Sequence, residues 1–425
     1  MPSARRPWLN SRRRPNRAAA VLIALVCAAA AANTARPLAA LDEPAPTFET
    51  GYYDWTGYDW GLQHHLAGRV QYDDNPRREN YASHPRPDFA AGLDYGCVLS
   101  RYLDPEHYFI LRYDAEALAW ARYTDLNTVN HAVNLSWNYF DPTLDVTGIG
   151  WYLKPRAFVN LLKAPEDFVA GAAPRRLRID LSAPVGYRLD RWQFEASPLY
   201  GQDRYLDSAF DPLDNRDIGG YAEVEYAAAD RASALYARFI YRSIDHRRDD
   251  LFDDFVVRAL RLGWRCRTPA LDADCGLDFA LFTRLANRAA DGTPSSQGSL
   301  SPYIDLTWRI EPDASTLHFY LQRLFVPDVA ASATALTRVQ MRLTQVLSKD
   351  LLDAGLNTRV TVSNRLSGGD ATLYQSTADI DLHLSSANRP PWTLIGSLGL
   401  DINRADQPGA SYGARMVAFA LRGVF

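Results

Sequence analysis

From about residue 60 to its last residue the chain alternates apolar and polar side chains with a period of two, and helical periodicity is hard to find. Over Tyr108 to Tyr123, the residues Phe109, Leu111, Tyr113, Ala115, Ala117 and Ala119 share one face, and Arg112, Asp114, Glu116 and Arg122 share the other. Asn130 to Phe140 sets Val133, Leu135, Trp137 and Tyr139 against Asn134, Ser136 and Asn138; Ala378 to Ser386 and Trp392 to Asn403 repeat the pattern. Successive side chains of a strand point to opposite faces, so each run is a strand with one apolar and one polar side. Two architectures satisfy that pattern. In a sandwich the apolar side meets a core; in a closed membrane barrel it meets lipid and the polar side lines the interior.

The N-terminus bears on the choice. Arg5, Arg6, Arg12, Arg13, Arg14 and Arg17 precede an uncharged run, Ala18 to Ala32, centred on Val21, Leu22, Ile23, Leu25 and Val26. A basic segment, a short apolar segment and a small-residue exit make a signal peptide, here residues 1–40, with cleavage expected near 32 or 40. No later stretch approaches the roughly 20 apolar residues of a transmembrane helix. Residues 41–59, rich in Tyr and Trp, read as a short periplasmic leader, and 60–425 as one domain. Aromatics form 12% of the chain, which suits interfacial girdles, and the net charge of −4 argues against a nucleic-acid partner.

Connections and the C-terminus favour the barrel. Strands fall near 60–72, 88–100, 108–123, 130–140, 146–162, 176–188, 192–200, 218–226, 234–244, 254–265, 275–285, 303–311, 316–326, 337–347, 352–366, 378–388, 392–403 and 414–425. Longer gaps (73–87, 163–175, 201–217, 286–302, 404–413) alternate with shorter ones (101–107, 141–145, 189–191, 312–315, 389–391). Long loops on one side and tight turns on the other are the asymmetry of a bacterial outer-membrane barrel, about 18 strands here with about 16 left open. The last strand, Arg415 to Phe425, ends the chain on an aromatic residue. The expected fold is therefore all-β: a transmembrane antiparallel β-barrel in the outer membrane with periplasmic termini. Its expected partners are outer-membrane lipid and lipopolysaccharide, and the barrel-assembly machinery through the strand ending in Phe425.

With polar faces turned inward, the interior charges sort unevenly. Between Ala234 and Leu366 they include Arg238, Arg242, Arg261, Arg265, Arg284, Arg309, Arg338, Arg342, Arg359 and Arg365, opposed there by Asp278 and Asp305. Acidic positions gather elsewhere: Asp114 and Glu116; Glu195, Glu223 and Glu225; Asp379 and Asp381. A basic wall facing acidic ones would orient polar solutes and favour one sign of ion. The bland alternative is cross-strand pairing that merely fills a polar interior. The expectation is a non-enzymatic channel for polar or anionic solutes, without metal or cofactor. A plugged barrel acting as scaffold or secretion partner is the second reading. His383 and Ser385 share a face, as in outer-membrane lipid hydrolases, but Ser386 stands where that motif carries Asn, which makes hydrolysis the least favoured reading.

Cys266 and Cys275 bracket a turn and are expected to form a disulfide across the hairpin base, while Cys97 shares a lipid-facing side with Phe89, Leu93, Tyr95 and Leu99.

The segment Gly68-Arg69-Val70-Gln71-Tyr72-Asp73-Asp74-Asn75-Pro76 resembles the opening of exopolysaccharide-associated outer-membrane β-barrel porins, whose first strand ends in a similar aromatic-Asp-Asp-Asn. The resemblance covers about the first five strands and implies a link to saccharide-polymer export. The barrels of surface-lipoprotein assembly modifiers are similar too.

Overall fold

The computed structural model describes residues 61–79, 84–103, 106–144, 148–163, 175–207, 214–229, 232–247, 253–285, 295–311, 315–326, 334–348, 351–365, 370–384, 392–406 and 411–424. The expected signal peptide and leader, Ser385 and Phe425 lie outside them, as does the side chain of Arg365.

Twenty strand segments make the wall: β1 (Gly61–Asp73), β2 (Asp88–Tyr102), β3 (His107–Trp120), β4 (Thr128–Phe140), β5 (Ile149–Leu153), β6 (Arg156–Lys163), β7 (Arg175–Ser182), β8 (Val185–Leu189), β9 (Trp192–Tyr205) and β10 (Asn215–Ala227). They continue as β11 (Ser233–His246), β12 (Phe255–Arg267), β13 (Leu271–Arg284), β14 (Ser296–Glu311), β15 (Ser315–Val326), β16 (Thr334–Ser348), β17 (Leu352–Arg365), β18 (Asp370–His383), β19 (Trp392–Ala405) and β20 (Tyr412–Val424). Neighbours pair antiparallel, and β1 pairs with β20 from His65↔Val424 to Asp73↔Met416, so the sheet closes on itself. Segments β5 and β6 run in line along β4, and β7 and β8 in line along β9, so the wall has 18 strands.

Proline explains both interruptions. Lys154-Pro155 separates β5 from β6, and Ala183-Pro184 separates β7 from β8 at the same height. Proline has no N–H to give a ladder but keeps its carbonyl. Accordingly, Trp137 N–H donates to Pro155 O (3.1 Å), Lys154 N–H to Pro184 O (2.9 Å) and Ala183 N–H to Pro198 O (3.4 Å). The result is a crease across adjacent strands where the sequence predicted unbroken ones.

The two faces differ as the alternation requires. Phe239, Leu260, Phe279 and Leu300 stand in direct register on β11 to β14, each at least 40% exposed on the outer face. Trp151, Trp192, Tyr226, Trp264 and Trp308 are also exposed, and all lie toward the rim where β1 begins and β20 ends, here the terminal rim. An apolar belt edged by Trp and Tyr is the surface a bilayer solvates, so the barrel spans a membrane.

The expected disulfide is not present. Cys97, Cys266 and Cys275 are free, and Cys266 faces Ala273 while Cys275 faces Trp264. Both cysteines do lie on the outer side, but they are diagonal neighbours, roughly 7–8 Å apart in a sheet, beyond the reach of a disulfide.

Candidate functional site: the charged interior

The expected basic ladder divides into two sectors. On β11 to β13, every arginine named from the sequence is held by carboxylates. Arg238 Nε donates to Glu223 Oε2 (2.6 Å), and Arg242 Nε to Asp217 Oδ2 (2.9 Å). Arg261 makes a two-pronged pair with Asp278 (2.6 and 2.9 Å), and Arg284 pairs with Asp253. Arg265 reaches past β11 to Glu223 and Glu225 on β10 (both 2.6 Å) while also holding Asp274 (3.0 Å). These arginines have the opposite parity to the exposed Phe239, Leu260 and Phe279 of the same strands, which places them on the inner face.

Tyrosines extend the network. The Arg238, Arg261 and Arg265 guanidinium carbons lie 4.8, 3.6 and 4.0 Å from the ring centres of Tyr221, Tyr303 and Tyr236. Tyr152 and Tyr221 hydroxyls both donate to Glu195 (2.6 Å each), and Tyr236 donates to Asp274. Glycine makes room for two of these rings. A Cβ on Gly186 would sit 2.0 Å from Tyr152 Cζ, and one on Gly263 would sit 2.5 Å from Tyr236 Cζ. Planar, hydrogen-bonded and stacked, arginine suits such a belt better than lysine.

Sequence reading credited Asp278 and Asp305 as the acids opposing this ladder. It left out Asp217 and Asp274 and took Asp253 for a solvated loop-tip charge, each one residue outside the expected strand limits, and it grouped Glu223 and Glu225 apart from the arginines they hold.

On β15 to β17 the environment changes. Arg338 stands in register between Gln322 and Thr361, Arg342 between His318 and Asn357, and Arg359 between Gln340 and Gln375. None of these cross-strand neighbours is a carboxylate; Arg359 Nε donates to Gln375 Oε1 at 2.8 Å. Arg309 is exposed at the terminal rim, with Nη1 on Pro269 O (3.2 Å), and Asp305 receives His318 (2.9 Å).

The remaining acids are dispersed. Asp114 accepts from Arg112 Nε (2.6 Å), while Glu116 pairs with Arg69 and accepts from Asn130 (3.1 Å). Asp379 lies over Gly355, and Asp381 sits 3.9 Å from Arg422. His383 is held by Asp353 (2.9 Å) and Thr393 (3.3 Å). Among the described residues no group of three or more His, Cys, Asp or Glu could hold a metal ion.

No family model and no curated protein matches this chain. Solved structures similar to it include OccK2 (OpdF) of Pseudomonas aeruginosa, at 11% identity and a TM-score of 0.46 over 86% of this chain and 97% of that one. OpdK of the same organism aligns at 11% identity and a TM-score of 0.45 (86% and 99%), and OccAB3 of Acinetobacter baumannii at 11% and 0.44 (86% and 99%). At such scores the architecture rests on the strand pairing of the chain itself.

Proposed function

We propose that this protein is an integral barrel of a bacterial outer membrane, with periplasmic termini, and a passive channel for polar or anionic solutes. Eighteen strands enclose far more than side chains alone can fill, whereas about eight make a packed interior. What supports the solute class is the stretch of β15 to β17 where Arg338, Arg342 and Arg359 stand in register with Gln322, Gln340, Asn357 and Gln375, a run of N–H donors for a passing anion. The belt on β10 to β13 is internally compensated and contributes rigidity and a polar surface rather than net charge. Export of a saccharide polymer would rest on the likeness of residues 68–76 alone, of which Asp73, Asp74 and Asn75 hold the seam described below. Lipid, lipopolysaccharide and the barrel-assembly machinery are the partners this reading implies.

Planar-bilayer recording in a salt gradient tests it. The expected result is a conducting pore whose reversal potential favours anions. A cation-selective pore would overturn the solute class, and complete absence of conductance would favour the plugged-barrel reading. One observation gives that second reading weight: an apolar cluster inside the wall near the rim opposite the terminal one, the distal rim.

A further inference from the structure

The wall is not flush between β14 and β15. Their pairing runs from Glu311↔Ser315 to Ile304↔Leu321 and stops, although both strands continue toward the distal rim. Pro302 accounts for the stop. Arg309 N–H donates to Ala270 O, and Ser295 O accepts from Arg284 N–H, so odd-numbered backbone groups of β14 face β13. Alternation then turns even-numbered groups, Pro302 among them, toward β15. The missing N–H therefore falls on the edge that β15 would have to join.

Beyond that point β15 and β16 lie inside the barrel. Phe325 and Ala335 have the parity of the outer face, yet they are 3% and 1% exposed. They pack against Ile244, Phe255, Val257 and Phe282, which belong to the inner face of β11 to β13, and the rings of Phe282 and Phe325 are 6.0 Å apart. The opposite face of the same hairpin is covered as well, with Leu336 buried against Leu324. An outer face can meet an inner face only if one part of the wall has slid behind the other.

Neither this position nor a flush one satisfies every group. Tucked in, the hairpin leaves Arg323 Nε and Ser301 Oγ buried without hydrogen-bond partners among the described residues. It also leaves the β14 edge unpaired level with Leu300, in the row of Phe239, Leu260 and Phe279, where hydrocarbon offers no hydrogen bonds. Continued in register, Leu300 would meet Phe325 and Pro302 would meet Arg323. That would return Phe325 to the lipid-facing row, but it would place Arg323 outside and leave the Arg323 carbonyl without the N–H that Pro302 lacks.

We propose that the distal ends of β15 and β16 are a gate. Tucked in, they narrow the distal interior; seated beside β14, they complete the wall and widen it. The proposal rests on the channel reading for its consequence, but the movement can be detected without any current.

The test uses the full chain in lipid, with Cys27→Ser, Cys97→Ser, Cys266→Ser and Cys275→Ser as background. Phe282→Cys with Phe325→Cys should cross-link the tucked position, and Leu300→Cys with Phe325→Cys the flush one; both should form under mild oxidant, read by gel mobility and peptide mapping. In bilayers the first cross-link is expected to lower conductance severalfold, reversibly on reduction, and the second to hold it high. Failure of the Phe282–Phe325 pair to oxidise overturns the tucked arrangement. Failure of the Leu300–Phe325 pair overturns the movement. Equal conductance in both cross-linked forms overturns the gating. Formation of both cross-links without current in any form would leave the movement standing and defeat only the channel.

Discussion

The side-chain amide of Asn75 donates to the carbonyl of Gly413 at 3.0 Å, tying the first loop of the chain to its last strand across 338 residues. The same amide donates to Glu79 O (2.7 Å) and its oxygen accepts from Glu79 N–H (2.9 Å), which folds the loop back on itself. Asp74 and Arg415 exchange two more bonds, Asp74 N–H to Arg415 O (3.0 Å) and Arg415 N–H to Asp74 Oδ1 (2.6 Å). Arg78, in the left-handed region at φ 56°, bridges Asp73 (2.6 Å) and Asp401 (3.0 Å). Burial alone would lower its guanidinium, but the two carboxylates outweigh that and raise it. Tyr72-Asp73-Asp74-Asn75-Pro76 is thus a clasp over the seam where β1 meets β20, the one pairing that closes the barrel.

Removing the clasp should loosen closure. Asn75 is 1% exposed, and Asn75→Ala leaves the Gly413 and Glu79 groups with lost partners, a cost of about 2 kcal/mol. The expected outcome is a lower temperature for the shift from folded to unfolded mobility on semi-native gels, with strand content unchanged in the folded form.

The compensated belt predicts a non-additive pair. Arg261 and Asp278 are each 5% exposed. Arg261→Met strands a buried carboxylate and should destabilise by about 3 kcal/mol, whereas adding Asp278→Leu should recover most of that loss. Urea unfolding in detergent, followed by tryptophan fluorescence, would show the recovery; equal losses in the single and double variants would contradict the pairing.

Selectivity should respond to the other sector. Arg338→Gln with Arg342→Gln removes two positive charges from the donor-rich stretch of β15 to β17. The reversal potential in a salt gradient should move toward cations. Arg238→Gln, beside Glu223, should move it in the same direction and also lower stability, as its partner is buried.

A methyl group at Gly186 should act at a distance. Gly186→Ala places a carbon where the Tyr152 ring now lies, displacing its hydroxyl from Glu195. Overpacking of this kind costs about 1–3 kcal/mol. Tyr152→Leu in the Gly186→Ala background should lessen the loss, read again by urea unfolding.

The thiols provide a direct check on register. Cys97, Cys266 and Cys275 should all react with a lipid-soluble maleimide without prior reduction, and intact mass should be the same with and without reductant. Protection of Cys266 and Cys275 until reduction would mean that the β12–β13 register differs from Trp264↔Cys275.

What the sequence by itself determined is the side of the wall on which each residue stands, because period-two alternation records the contrast between lipid and interior locally. Leu135 outside, the outward parity of Cys266 and Cys275, and a count of about 18 strands were legible from alternation and the connections together. Only the tertiary structure decided which interior charges meet. Asp217, Asp253 and Asp274 lie at strand ends, where alternation fades, and Arg265 finds Glu225 two strands away. The same holds for the cysteines, where register and not parity decides distance, and for Phe325, whose parity is outward although it lies buried inside. Parity is a property of one strand; register and curvature belong to pairs of strands and depend on a proline in the neighbour.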